Sequence, residues 1–234
     1  MNYEVCFTSY LNLSLTTFHS PLTTNNHNHK IILMQQATAL HTQLHQPETI
    51  FTKVKTWISA SQNKTINSWI VEQLHIQPYQ HILEVGYGAG NSLYEVAKKL
   101  QVGFLAGVDD SVNHYQQATR RNKKFIDDEL LHLHLGCVEQ LPYPAHYFHS
   151  IYAGNIYYSW NEPQYKFMQL HSLLKSGGKL ITVVQPHGKL TEKEIWNEAE
   201  KIQQQYIEAG FFDVRFAFRE MHAVNAISVV GYKE

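Results

Sequence analysis

In the segment HILEVGYGAGNS, residues 81–92, glycines stand at the alternate positions Gly86, Gly88 and Gly90, and a carboxylate, Glu84, precedes them. Glycines in this pattern let backbone come close to a ligand, and a helix starting behind them presents free N–H groups. A kinase-type phosphate loop would continue with Gly-Lys-Ser/Thr, but Gly90 is followed by Asn91 and Ser92. A dinucleotide loop, G-x-G-x-x-G, would put its third glycine where Asn91 stands. Glu84 adds a separate signal, because a carboxylate in a buried strand is costly without a partner. A ligand ammonium is one such partner. A lysine or a set of protein donors that holds the loop is the other. A second acid, Asp109, ends the segment AGVD and is placed to accept both hydroxyls of a ribose. That sugar is common to NAD and to S-adenosyl ligands, so Asp109 alone does not choose between them.

These residues need a scaffold that brings two strand ends together. Residues 48–75 read as a helix, with Ile66, Ile70 and Leu74 on one stripe and Trp69 beside it, stopped by Pro78. Apolar strands then alternate with helices. HILEVG is followed by a helix over 91–100 that turns Leu93, Val96, Ala97 and Leu100 inward. FLAGVD is followed by a helix capped by Ser111 and carrying Tyr115 and Ala118. LHLHLG and FHSIYAGN come next. Pro163 suits the first turn of a helix with Met168, Leu173 and Leu174 inward, ended by Gly177 and Gly178. KLITVVQ is the fifth strand. Thr191 to Glu194 is a capping box ahead of Ile195, Ala199, Ile202 and Tyr206. FDVRFAF and AVNAISVVGY close the chain, with a connection short enough to force an antiparallel hairpin. The expected architecture is α/β and Rossmann-like. It is a seven-stranded sheet, mostly parallel with a reversed final strand, with helices on both faces and a helical N-terminal cap. The expected divisions are a poorly ordered tail over 1–33, the cap over 34–75 and the ligand-binding domain over 76–234. Met34 offers an alternative start.

Composition removes several function classes. The net charge of −1 draws the chain toward neither nucleic acid nor an anionic membrane. The one basic cluster, Arg120, Arg121, Lys123 and Lys124, reads as a solvated helix end complementing the dipole. No apolar run is long enough to span a bilayer. Cys6 and Cys137 match no zinc or disulfide spacing, so a reducing cytoplasm is expected. The chain has 15 histidines, yet the pairs His132/His134 and His146/His149 lack a third ligand, so no metal is expected.

From about residue 66 to residue 232 the sequence resembles the class I S-adenosylmethionine-dependent methyltransferases that act on small molecules. The resemblance is carried by HILEVGYGAGNS, GVDDS, LGCVEQLPYPAHYFHSIYAGNIYYSW, LLKSGGKL and EAGF, in that order. It implies S-adenosylmethionine as cofactor and S-adenosylhomocysteine as product. Glu84 and the backbone from Gly86 through Gly88 to Gly90 would hold the methionine end, Asp109 and the adjoining Asp110 the ribose. Val138 and Glu139 would flank the adenine, and Asn155 would face the sulfonium. The chain departs from the family at Cys137, where many members carry an acid for the adenine amino group. It also departs at Ser176, in place of a proline, and at Tyr87, bulky for its loop.

Methyl transfer from a sulfonium is an in-line displacement that depends on alignment. A general base is needed only if the acceptor must lose a proton. His187, after the fifth strand, is the candidate base, although a surface-loop histidine is the simpler reading. Tyr157, Tyr158 and Trp160 are the candidate acceptor residues, suited to a planar or cationic group. The alternative is that they pack the sheet against helices. The expected function is methyl transfer to a small-molecule acceptor, with neither nucleic acid nor membrane as partner. The rivals are a non-catalytic partner subunit that binds or has lost the cofactor, and a nicotinamide-dependent oxidoreductase.

Overall fold

The central strands are buried along most of their length, because successive side chains face two packed layers, one on each side of a single sheet. The computed structural model describes residues 66–186, 188, 190–220 and 225–234. In order these form α1 (the helical residues 66–74), β1 (His81–Val85), α2 (Asn91–Leu100), β2 (Phe104–Asp109), α3 (Val112–Arg121), α4 (Lys123–Asp127) and β3 (Leu131–Leu135). They continue with β4 (Phe148–Gly154), α5 (Pro163–Leu173), β5 (Leu174–Val184), α6 (Glu192–Glu208), β6 (Phe212–Arg219) and β7 (Ala226–Tyr232). Short 3₁₀ turns at Val138–Gln140 and Tyr157–Ser159 follow β3 and β4.

The sheet order is β3-β2-β1-β4-β5-β7-β6. β7 runs antiparallel to both β5 and β6, and the other pairings are parallel. The seven-stranded Rossmann-like sheet with one reversed strand therefore stands as expected from sequence. The reversed strand inserts between β5 and β6, so β6 becomes the edge. The order changes direction between β1 and β4, and ligands of such sheets sit outside the carboxyl ends of the strands at that point.

On one face, Leu83, Val85, Ile151, Ala153 and Leu180 pack against Phe167 and Leu170 of α5 and Ile195, Ile202 and Tyr206 of α6. On the other, Ile82, Leu105, Tyr152 and Ile181 pack against Ile70 of α1, Leu93 and Val96 of α2 and Ala118 of α3. The expected inward residues of α2 and α6 are all buried. Thr191 and Glu194 form the expected capping box, with the Thr191 N–H donating to Glu194 at 2.7 Å.

Two readings of the α5 region need correction. Met168 is 53% exposed, because the buried stripe of α5 is Phe167, Leu170 and Leu173. The helix ends at Leu173, not at the glycine pair, and Leu174 already pairs with Phe148. Gly177 and Gly178 lie in β5 where the register shifts between Phe148 and Ser150, so the glycines serve a bulge rather than a helix cap. Of the expected N-terminal cap, α1 is its described part, and residues 34–65 lie outside the described range, as does the tail.

The packing predicts a contrast. Ile202→Ala should cost about 2–5 kcal/mol of stability, since Ile202 is fully buried under the sheet. Met168→Ala should change stability by less than about 0.5 kcal/mol. Urea unfolding of both variants checks this, and equal losses would restore the helix orientation read from sequence.

Candidate functional site

The three glycines after β1 all adopt positive φ, at 74°, 51° and 74°. A Cβ at Gly86 would fall 2.9 Å from Ile156, and one at Gly90 would fall 2.6 Å from Asn122 and 2.8 Å from Ala118. These two glycines are needed by the fold itself. A Cβ at Gly88 would meet nothing within 4 Å, so this turn faces open space. The surrounding helices hold the loop in place. Asn122, fully buried, donates to the Gly90 carbonyl at 3.0 Å, and Arg121 donates to the Ala89 carbonyl. Arg121 is thus part of the loop's support and not only a solvated helix end.

Glu84 lies on the α2 side of β1, beneath the loop, and is 4% exposed. Its two carboxylate oxygens accept hydrogen bonds from the hydroxyls of Ser92 and of Tyr152, the latter at 2.8 Å. Burial pushes its pKa up to about 7; the two hydroxyls oppose the shift and the negative charge of Asp109 adds to it. Ser92 and Tyr152 were not singled out from sequence. One is the second residue of α2, and the other is the β4 residue in register with Glu84.

Asp109 ends β2 and is also buried. Its Oδ2 accepts from the Gly88 N–H at 2.9 Å. Its Oδ1 accepts from the Ser111 N–H at 3.0 Å and lies 3.0 Å from His114 Nδ1. Burial favours the neutral carboxyl, but the bonds from His114, Ser111 and Gly88 outweigh it and hold its pKa below the ordinary value. The same bond raises the pKa of His114. The glycine loop and Asp109 are therefore one site. Ser111 caps α3 as expected, accepting from the His114 N–H at 3.3 Å. Asp110 is exposed beside them.

A cavity of about 360 Å³ opens at the carboxyl ends of β2 and β3, lined by Val108, Tyr115, Leu133, Gly136, Cys137 and Leu141 among others. Val138 is buried in the turn behind it, and Glu139 is ion-paired with Lys166. Tyr87 is tucked beneath the loop, its ring beside Gly107 and its hydroxyl donating to the His134 carbonyl at 3.2 Å. Cys6 lies outside the described residues.

Asn155 sits at the end of β4 with φ 56°, and its Oδ1 accepts from the Gln185 N–H at 2.9 Å, joining the ends of β4 and β5. Beyond it, Tyr157 is buried, stacks on Phe167 and donates to Gln205 at 2.8 Å. Trp160 meets Phe167 edge-on, and Tyr158 is 36% exposed against the Tyr157 ring. Of the three aromatic candidates, Tyr157 is thus taken up by packing. His187 lies outside the described residues. Among the described residues, no three His, Cys, Asp or Glu side chains gather as a metal site, and no helix is long and apolar enough to cross a membrane.

Comparison with known proteins matches residues 82–178 to the family described as a methyltransferase domain. The uncharacterised methyltransferase YdaC of Bacillus subtilis is 29% identical over 166 residues, covering 70% of this chain and 90% of that protein. Residues 82–178 are thus similar to a methyltransferase domain, and the fold is that of solved S-adenosylmethionine-dependent methyltransferases. The demethylmenaquinone methyltransferase of Symbiobacterium thermophilum is 28% identical over 156 residues, 66% of this chain and 57% of that protein. The phosphoethanolamine N-methyltransferase 2 of Haemonchus contortus, solved with phosphomonomethylethanolamine and S-adenosylhomocysteine, shares the fold. Its TM-score is 0.59 at 16% identity, over 71% of this chain and 52% of that one. The family match spans the glycine loop, Asp109 and Asn155, so the residues that converge in space are those inside it.

The buried acid of this domain makes a pH prediction. Below the unfolded-chain value of 4.5, Glu84 is protonated in both states and burial costs nothing. As pH rises toward about 7 the unfolded chain ionises this group and the folded chain does not, so stability is lost. Glu84→Gln, a permanent analogue of the neutral acid, should remove that loss. The stability of the variant relative to the parent should rise by roughly 2–3 kcal/mol between pH 4.5 and pH 8. Urea unfolding of both proteins across that range measures it, and a pH-independent difference would mean that Glu84 is ionised without penalty.

Proposed function

We propose that this chain transfers a methyl group from S-adenosylmethionine to a small-molecule acceptor. The reading rests above all on the bond between Asp109 and the Gly88 N–H, which joins a ribose-type acid to a glycine loop with open space above it. The residues suit the ligand at each end. The Gly86–Gly90 backbone takes the amino acid moiety. Glu84, beneath it, supplies negative potential toward an ammonium, and a cation there offsets the cost of its ionisation. Asp109, with Asp110 beside it, takes the ribose hydroxyls. For this the His114 imidazole gives up its contact with Oδ1, so ribose binding exchanges one partner of Asp109 for another. The cavity beside Tyr115 and Leu133 takes the adenine, with Val138 and Glu139 on its far side.

Bound there, S-adenosylmethionine supplies an activated methyl, whose bond to sulfur breaks as a bond to the acceptor forms, leaving S-adenosylhomocysteine. The protein's part is alignment and exclusion of water. Asn155 fixes the ends of β4 and β5 beside the reacting centre. Tyr158 and Trp160 bound the acceptor side, with Tyr157 as the packed support behind them. His187 is the residue to test first if the acceptor must lose a proton.

One observation favours a second reading, a cofactor-independent partner subunit: internal donors already occupy both oxygens of Asp109. Calorimetric titration with S-adenosylmethionine, S-adenosylhomocysteine and NAD separates the readings. Micromolar binding of the first two and none of NAD supports the methyltransferase. No adenosyl binding by folded protein supports the partner subunit, and NAD binding alone the oxidoreductase. In the same titration Asp109→Ala should weaken S-adenosylhomocysteine by about 1.5–3 kcal/mol. Gly88→Ala should fold, at a cost of about 1–2 kcal/mol for its left-handed φ, yet lose binding because its methyl enters the ligand space. Normal affinity in both variants would remove the loop and Asp109 from the site.

A further inference from the structure

At the opposite edge of the sheet, where β1, β4 and β5 begin, a recess of about 270 Å³ is lined by His149, Lys175, Ser176, Gly177, Lys179 and Tyr232 among others. No Asp or Glu lines it. Among the described residues, neither Lys175 nor Lys179 forms a salt bridge with a carboxylate. Lys179 donates to the Gln73 carbonyl at the end of α1, at 2.8 Å, which uses one of its N–H groups. Burial of this ammonium lowers its pKa.

His149 sharpens the imbalance. The backbone N–H of His81 donates to its Nδ1 at 2.9 Å. A neutral imidazole that accepts at Nδ1 carries its proton on Nε2. That nitrogen faces Lys175 Nζ at 3.1 Å. An ammonium has no lone pair, so two donors point at one another. Protonating His149 does not help, because its Nδ1–H would then face the His81 N–H. Burial and the Lys175 charge both lower its pKa, which keeps it neutral. Both donors are satisfied together when a third group accepts from each.

We propose that this recess binds a phosphate group, with the Nε2–H of His149 and the ammonium groups of Lys175 and Lys179 as its donors. Two lysines and no acid suit a doubly charged oxyanion. Lysine binds phosphate as a point charge, whereas a planar carboxylate is better met by the fork of an arginine. The recess is larger than a bare oxyanion and admits the small body of a phosphomonoester. It lies at the far ends of the strands from the glycine loop, so it does not depend on the methyltransferase reading.

The test uses the full chain near neutral pH. Sodium phosphate and glycerol 3-phosphate are titrated by calorimetry and by thermal unfolding, against sodium chloride at equal ionic strength. A saturable rise in Tm with either phosphate and none with chloride is expected. A tighter response to glycerol 3-phosphate identifies a phosphomonoester, and an equal one identifies the phosphate group alone. Lys175→Gln should weaken phosphate binding about tenfold or more, and Lys175→Arg should retain most of it. Lys179→Gln, a second partly exposed position, should show a loss in the same direction. Affinity for S-adenosylhomocysteine should be unchanged in all three. Equal rises with chloride and phosphate, or undiminished phosphate binding by both glutamine variants, would overturn the proposal.

Discussion

The Asp109 carboxylate accepts hydrogen bonds from the backbone of two strand-to-helix loops, at Gly88 after β1 and at Ser111 after β2. Most of the candidate site depends on this one group. It brings the glycine loop against the end of β2, caps the space before α3 and places negative charge where the two loops meet. Its low pKa is what makes the arrangement durable, because the same bonds that fix the loops keep the carboxylate ionised. Glu84 is the contrasting case. It sits deeper, and burial raises its pKa against the bonds from the Ser92 and Tyr152 hydroxyls and the Leu93 backbone. Two acids a few residues from the same loop thus have opposite tendencies, set by whether burial or the hydrogen bonds to the carboxylate dominate.

The fold explains why these groups converge. Parallel strands place all their carboxyl ends on one edge, and the change of direction between β1 and β4 leaves a crevice there. The positive φ of the glycines turns the chain over that crevice, while Asn122 and Arg121 grip the loop from α3. The site is therefore built from backbone and supported by side chains of a neighbouring helix. That suits the proposed methyl transfer, which needs alignment more than acid–base groups.

Local pattern carried most of the architecture. The inward faces of α2 and α6, the strand segments and the Thr191 capping box are all set by near neighbours, so periodicity was enough. Met168 was misread because α5 has several apolar residues around its circumference, and the burial of Phe167 and Leu170 is decided by the sheet. The position of β7 between β5 and β6 is a long-range pairing with no local signal. The candidate site divides in the same way. The loop and Asp109 were legible as types at a spacing. Ser92, Tyr152 and His114 were not, because a buried acid announces that it needs a partner without saying which one. Register with β4 supplies Tyr152, and the first turns of α2 and α3 supply Ser92 and His114.

The most direct test of the central claim is a crystal structure of the protein grown with S-adenosylhomocysteine. The account predicts both ribose hydroxyls within hydrogen-bond reach of Asp109, with the His114 contact to Oδ1 given up. It places the amino acid end along Gly86–Gly90 and the adenine in the cavity beside Tyr115. A ligand seated elsewhere, with Asp109 still closed by His114, would contradict it.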